Sequence, residues 1–197
     1  MGSIRFGALP PAFRQYLVAW GIFAVANSSD VFLILRARHL GSTTALVVWF
    51  YAFYNLVYAA ASPGLGGLSD RLGRKAVIVG GLLVYALVYL GFAGANAHWQ
   101  LWALFGIYGL YTAATDGVGK ALAVDLVPGN IRAGAIGMLG TVTGVATLVA
   151  SSMAGLLWSA FGPGATFLYG AAGALAGAVP IARLPGREAA GGEAVRP

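Results

Sequence analysis

Cysteine is absent from the 197-residue sequence, which excludes a disulfide framework, thiol catalysis and zinc or iron–sulfur sites with cysteine ligands. Histidine is scarce as well, because only His39 and His98 occur and neither has a partner at metal-ligand spacing. We therefore expect no metal and no cofactor. Charged residues make up only 9% of the chain, whereas a soluble domain has about 25%. This scarcity excludes an ordinary water-soluble fold.

Apolar residues are abundant: they make up 59% of the chain, and the mean hydropathy is +0.79. A helix needs about 17 to 25 apolar residues to cross a hydrocarbon core of ~30 Å, and an open sheet would leave backbone groups unpaired in lipid. The sequence therefore predicts an all-α membrane protein, with one domain at 1–186 and a flexible cytoplasmic tail at 187–197. Six transmembrane helices are predicted, at about 14–35, 44–63, 76–94, 99–124, 133–161 and 165–181.

The basic residues are distributed unevenly between the two sides of these helices. Both termini and the turns after helices two and four share one side, because the number of helices is even. Nine of the twelve basic residues fall on that side, whereas Arg36 and Arg38 fall on the other. Cytoplasmic loops are enriched in Lys and Arg, so we expect both termini to be cytoplasmic. Because the basic residues stand at the ends of apolar runs and form no stripe, nucleic acid is not an expected partner.

Three ionisable residues lie inside predicted helices: Asp30 in helix one, and Asp116 and Lys120 in helix four. Such a residue costs roughly 2.5 to 3.5 kcal/mol at the centre of a span, so each is a candidate functional residue. Asp30 has an alternative, which is that it reaches the outer interface or pairs with Arg36. Lys120 also has one, because its long side chain can extend to the cytoplasmic headgroups.

Asp116 and Lys120 are four residues apart, which allows an ion pair on one face of a helix. The pair is either purely structural or a protonatable carboxylate whose lysine partner is released when a proton or substrate binds. Asp30 and Asp116 each directly follow a hydroxyl residue late in helices one and four, as inverted three-helix repeats would place them. Further polar residues extend the candidate substrate or proton pathway: Asn27, Asn55, Tyr108, Thr112 and Thr115.

Helix contacts are indicated by small and by aromatic residues. Gly140-x-x-x-Gly144 and Gly173-x-x-x-Gly177 have the spacing that lets two helix backbones approach closely. Each motif indicates either packing within one bundle or a seam between two bundles. The tyrosines of helix two are interpreted as packing residues in preference to ligands, because aromatic residues are common at helix contacts; they are Tyr51, Tyr54 and Tyr58.

The most specific string in the chain is Gly66-Gly-Leu-Ser-Asp-Arg-Leu-Gly-Arg-Lys75. Its glycines permit a tight reversal, and its three cations favour the cytoplasmic side. Asp-Arg-x-Gly-Arg-Lys within it resembles the signature between helices two and three of each half of the major facilitator superfamily. Asp125-Leu-Val-Pro-x-x-x-Arg132-Ala-Gly-x-x-Gly137 and Phe161-Gly-Pro-Gly164 resemble two later turns of that family.

The resemblance covers the whole chain and is closest to the C-terminal six-helix half of a bacterial twelve-helix transporter. It implies an inverted 3+3 repeat in the bacterial inner membrane, with the first and fourth helices lining a central cavity. Because the family encloses its substrate between two halves, one copy supplies one wall. The partner is then a second copy, a separate chain or the rest of a longer protein. The resemblance also implies a conformational gate, made of Gly66, Asp70, Arg71, Gly73, Arg74, Lys75, Asp125 and Arg132.

The expected function is secondary active transport of a small molecule by alternating access, as a half-sized unit that needs a second half, with Asp30 and Asp116 as the candidates for proton coupling. The alternative is a non-transporting half-sized subunit with an assembly or regulatory role. An enzyme is not expected, since the sequence has no nucleophile–base motif and no histidine in a predicted helix. No motif identifies the substrate, the direction of transport or the coupling ion.

Overall fold

A computed structural model describes residues 9–184. This part of the chain forms seven α-helices and one short 3-10 helix at Gly129–Ile131, and it contains no strand. The all-α prediction is therefore confirmed for these residues, whereas the predicted tail at 187–197 lies outside them. The helices are α1 (Pro11–Ala24), α2 (Val31–His39), α3 (Thr44–Leu72), α4 (Arg74–Gly94), α5 (His98–Asp125), α6 (Arg132–Phe161) and α7 (Pro163–Ala182).

The chain is not helical between α1 and α2, so the prediction of one continuous helix over 14–35 is wrong. The interruption contains Asn27-Ser-Ser-Asp30, whose short polar side chains compete for backbone hydrogen bonds. The backbone amide of Ser29 donates to the hydroxyl of Ser151 on α6 at 3.1 Å. A bond to a neighbouring helix thus replaces one that a continuous helix would have made.

Helix α3 is longer than predicted, since it continues to Leu72 instead of ending at residue 63. Gly66 lies inside this helix, where its carbonyl accepts a hydrogen bond from the Ser69 hydroxyl at 2.7 Å. The prediction that Gly66 forms part of a tight reversal is therefore wrong. The turn to α4 is made by Gly73 alone, with a φ of 90° that glycine tolerates best.

Four helices of the described region, α3, α4, α6 and α7, are long and apolar enough to cross a membrane. Helices α1 and α2 have 14 and 9 residues, too few to span a bilayer singly. Helix α5 is long enough at 28 residues, but it carries Asp116, Lys120 and Asp125. The three ionisable residues predicted inside the membrane, Asp30, Asp116 and Lys120, therefore lie on or beside helices that depart from the simple apolar pattern.

The interior of the bundle is aromatic and tightly packed around α4, α5 and α7. Glycines permit the closest approach, between α7 and the end of α1 together with the turn that follows it. A Cβ atom at Gly173 would lie 2.0 Å from the Cβ of Ala26, and one at Gly177 would lie 2.6 Å from the Cβ of Phe23. The Gly173–Gly177 motif is therefore used inside the bundle. Large fully buried side chains fill the remaining space, among them Tyr85, Tyr89, Phe92, Phe105 and Phe167.

Helices α3 and α6 form the least buried parts of the described bundle. Only 17% and 22% of the residues in their most apolar 18-residue stretches are buried, against 50% and 44% for α4 and α7. The Gly140–Gly144 motif of α6 lies on an exposed face, and a Cβ at either glycine would meet no atom within 4 Å. Packing within this bundle, one of the two interpretations of that motif, is therefore excluded for the described residues.

Candidate functional site

Asp116 of α5 is the centre of a three-residue polar cluster. One carboxylate oxygen lies 2.6 Å from the Nζ atom of Lys120, and the other accepts a hydrogen bond from the Tyr58 hydroxyl at 2.9 Å. The side chains of Asp116 and Lys120 are 42% and 55% exposed in the described bundle. The ion pair is therefore made but lies open on one face of α5. Tyr58, which the sequence favoured as a packing residue, is a direct partner of the carboxylate.

Close packing of α3 on α5 brings Tyr58 to Asp116. At Gly109 of α5, a Cβ atom would lie 2.7 Å from the backbone oxygen of Tyr54 and 3.1 Å from the backbone nitrogen of Tyr58. No side chain fits between the two backbones at this level. The missing Cβ thus allows the approach that places the tyrosines of α3 beside the polar residues of α5.

Asp30, at the start of α2, forms the second polar cluster. Its Oδ1 atom accepts a hydrogen bond of 2.6 Å from the hydroxyl of Tyr108 on α5. Tyr108 precedes Asp116 by eight residues, or ~12 Å along the helix axis. The two acids thus lie at different levels of α5: Asp30 contacts it nearer to the His98 end, and Asp116 belongs to it nearer to the Asp125 end.

Arg36 does not pair with Asp30, although the sequence left that pairing open. Its guanidinium is buried and donates to three backbone oxygens at the end of α4, those of Phe92 at 3.0 Å, Ala93 at 3.3 Å and Ala95 at 2.7 Å. A cation at a helix C-terminus satisfies free carbonyls and opposes the negative end of the helix dipole. Within residues 9–184, no ion pair of 4 Å or less involves Asp30.

The other predicted pathway residues bond within their own segments or lie beside Asp30. The hydroxyls of Thr112 and Thr115 donate to the carbonyls of Tyr108 and Tyr111, and Asn55 donates to the carbonyl of Tyr51. None of these three contacts either carboxylate through a hydrogen bond. Asn27 instead lines a cavity of about 370 Å³ at the interruption between α1 and α2, together with Ser28, Ser29, Asp30, Val31, Ile34, Tyr51 and Thr147.

The predicted gate residues meet at one end of the bundle, where α3 ends, α4 begins and α5 ends. The Nε atom of Arg74 lies 3.0 Å from a carboxylate oxygen of Asp125, and its Nη2 atom lies 3.9 Å from Asp70. Lys75 donates to the carbonyl of Leu184, after α7. Arg71 and Arg132 are exposed, and neither forms an ion pair within the described residues. The pair of Arg74 and Asp125 is thus the closest ionic contact at this end.

Three contributions to these clusters were missed in the sequence. Tyr58 and Arg36 find partners on other helices, which spacing along one helix cannot reveal. Ser28 is buried at the α1–α2 interruption. The only sequence feature that could have identified it is its place in the polar run Asn27-Ser-Ser-Asp30, which follows α1. Among residues 9–184 there is no cluster of three or more acidic or histidine side chains that could hold a metal ion.

Paired charges within apolar helices and a charged turn between α3 and α4 are features of membrane transporters. The family model of the Major Facilitator Superfamily matches residues 15–196. The chain belongs to the major facilitator superfamily. This match confirms the resemblance seen in the turn motifs. The members of this superfamily are transporters and not enzymes.

Curated relatives in this superfamily come from archaea and bacteria. An uncharacterised transporter of the same type from Methanocaldococcus jannaschii is 39% identical over 82% of this chain and 42% of its own length. The class H tetracycline resistance protein of Pasteurella multocida is 36% identical over 61% of this chain and 28% of its own length. The multidrug resistance protein MdtG of Serratia proteamaculans is 32% identical over 76% and 38%. The chain therefore spans less than half the length of these relatives.

Proposed function

We propose that this chain is one half of a secondary active transporter that moves a small molecule across a membrane by alternating access. In this proposal α1 and α2 together cross the membrane once, so that the chain has six spanning segments arranged as an inverted 3+3 repeat. The membrane is the bacterial inner membrane, with both termini on the cytoplasmic side. The half functions only when a second half completes the cavity.

The observation that carries this proposal is the open ion pair on α5. Asp116 lies nine residues before the end of α5, or ~13 Å from it, and its side chain is 42% exposed. An ionised residue facing lipid at such depth costs roughly 2.5 to 3.5 kcal/mol, and such residues almost always face a bundle interior or a water-filled cavity. The exposed face of the pair is therefore best explained as one wall of a polar cavity.

The exposed faces of α3 and α6 support the need for a second half. Both helices are apolar, and in both about four-fifths of the residues in the most apolar stretch are not buried in the described bundle. Gly140 and Gly144 lie on the exposed face of α6, where a second helix can approach closely. The second half is another copy of this chain, a separate protein, or the remainder of a longer chain, since the relatives are more than twice as long as the aligned region.

In this proposal the ion pair works as a switch. Protonation of Asp116 or arrival of the substrate releases Lys120, and the Tyr58 hydroxyl holds the carboxylate in position. The pair of Arg74 and Asp125 holds the end of the bundle closed and breaks when the cytoplasmic side opens. A partly buried pair of this kind can bias two conformations by the few kcal/mol that such a switch requires.

Transport is tested with the chain and its second half reconstituted into proteoliposomes under a proton gradient, with tetracycline as the probe because tetracycline resistance proteins are among the relatives. The double variant Asp116→Asn/Lys120→Met removes both charges and leaves none unpaired. We expect it to fold as the wild type does and to lose at least about tenfold in flux, as loss of a proton-transfer group does. Leu87→Ala, on the exposed side of α4, is the control and keeps its flux. Wild-type flux in the double variant would show that the pair is structural.

The position of the cavity is tested separately by cysteine labelling, for which the natural sequence offers a cysteine-free background. Thr112→Cys lies one helical turn before Asp116 on the same face of α5, whereas Leu110→Cys lies on an apolar face. In native membranes we expect a hydrophilic methanethiosulfonate reagent to label position 112 and to leave position 110 unlabelled. Equal labelling of the two positions would contradict a water-filled cavity on the face of the ion pair.

A further inference from the structure

A groove of about 650 Å³ lies at the end of the bundle where α1 begins and α7 ends. Arg14 of α1 and Arg183, the residue after α7, both line this groove. Neither arginine forms an ion pair within residues 9–184. A third cation is close by, because the Nζ atom of Lys75 donates to the carbonyl of Leu184, another residue of the groove. Three basic side chains therefore converge on this end of the bundle.

The groove is basic at its outer end and apolar deeper in the bundle. Val18 follows Arg14 by four residues on α1, and Val179 precedes Arg183 by four residues on α7. Residues at this spacing share a helix face, so each valine lies about one turn, or ~6 Å, deeper than its arginine. Both valines line the groove and remain 56% and 50% exposed. Positive charge at the membrane surface is thus followed directly by an uncovered apolar surface.

The surroundings of the groove leave the charge of the two arginines uncompensated. The N-terminus of α1 and the C-terminus of α7 carry about half an elementary charge each, of opposite sign, so these two contributions offset each other. Residues 9–184 contain four acids, of which three lie within 4 Å of Arg74 or Lys120 and the fourth, Asp30, lies at the α1–α2 interruption. The described residues of a second copy therefore offer few acids to this groove. The partner that fits is an anion with an apolar part.

We propose that this groove binds one anionic phospholipid, with its phosphate between Arg14 and Arg183 and an acyl chain along Val18 and Val179. Guanidinium groups bind phosphate through paired, charge-assisted hydrogen bonds. Basic pockets between membrane helices on the cytoplasmic side bind anionic headgroups in other proteins. The proposal goes beyond the transport function and rests on one part of it only, which is the orientation that places these helix ends at the cytoplasmic surface.

Lipid binding is tested by native mass spectrometry of the purified chain in detergent, titrated with dioleoylphosphatidylglycerol. We expect one tightly bound molecule per chain and weaker binding of dioleoylphosphatidylcholine, which has no net charge. Arg14→Gln/Arg183→Gln should raise the Kd for phosphatidylglycerol roughly thirtyfold, as the loss of two basic contacts to an anionic lipid predicts. Arg71→Gln/Arg132→Gln, the matched control, removes the same charge from exposed residues outside the groove and should change the Kd by less than about twofold. None of the four arginines forms an ion pair within the described residues, so we expect both variants to fold.

Three results would overturn the lipid site. Equal losses of affinity in the two double variants would show that net charge alone attracts the lipid. Displacement of phosphatidylglycerol by an equal concentration of inorganic phosphate would show a site for free phosphate. Lipid binding by Glu188→Gln/Glu193→Gln but not by the wild type would assign the two arginines to the acids of the chain's own tail. Flux enters none of these measurements, so a failure of the transport proposal leaves the lipid site standing.

Discussion

Replacing Arg36 with methionine should destabilise the bundle by several kcal/mol, at least twice as much as the same change at the exposed Arg38 of the same helix. The guanidinium of Arg36 is buried and makes three hydrogen bonds to the carbonyls of Phe92, Ala93 and Ala95 at the end of α4. Methionine keeps most of the apolar stem but leaves these three oxygens unpaired. Hydrogen bonds measured in membrane proteins contribute about 0.6 to 1.7 kcal/mol each, so the loss amounts to about 2 to 5 kcal/mol of unfolding free energy.

The matched control is Arg38→Met, because Arg38 lies on the same helix but is exposed. Its guanidinium contacts the Ser42 carbonyl and the Thr44 hydroxyl of the adjoining segment. We expect it to lose about 1 kcal/mol or less, as an exposed residue does. The assay is unfolding in mixed micelles of increasing dodecyl sulfate fraction, followed by circular dichroism. Equal losses at the two arginines would refute the assignment of Arg36 as the cap of α4, and with it the anchoring of the segment that begins at Asp30.

Two further predictions concern packing and the charged end of the bundle. Gly109→Ala should lower the unfolding free energy by about 1 to 3 kcal/mol, because its new methyl group would overlap the backbone of α3. Gly117 faces open space on the same helix, so Gly117→Ala should leave the unfolding free energy unchanged. Similar losses for the two variants in the same unfolding assay would contradict the close approach of α3 and α5. Arg74→Gln should lower the unfolding free energy by about 1 kcal/mol or more, because the half-buried pair with Asp125 is lost. Arg71→Gln should change the unfolding free energy by less than about 0.5 kcal/mol. A larger loss in Arg71→Gln than in Arg74→Gln would show that the pair contributes no stability.

Composition and turn motifs were enough to predict the helical membrane fold and the family. Few charges and long apolar runs favour helices, which make all their backbone hydrogen bonds within one segment in lipid. The charged string from Asp70 to Lys75 carries the resemblance, and two of its residues have geometric roles: Arg74 pairs with Asp125, and Gly73 makes the turn. Such local signals survive in a single sequence.

The structure departs from the prediction where contacts between helices determine the local conformation and packing. Helix one was predicted as continuous because its residues are apolar on average, but Ser29 bonds to Ser151 on α6, 122 positions away. Gly140–Gly144 and Gly173–Gly177 look alike in sequence, yet only the second motif faces a neighbouring helix in the bundle. Spacing identifies residues that share a face but not what lies opposite that face.

The exposed faces of α3 and α6 have a practical consequence for anyone who handles this chain alone. In detergent, these faces will be covered either by detergent or by the same faces of other copies, and the balance depends on the ratio of protein to detergent. Stability gained through such association follows mass action, so the apparent unfolding midpoint should rise with protein concentration. A midpoint quoted without that concentration would describe the sample and not the bundle.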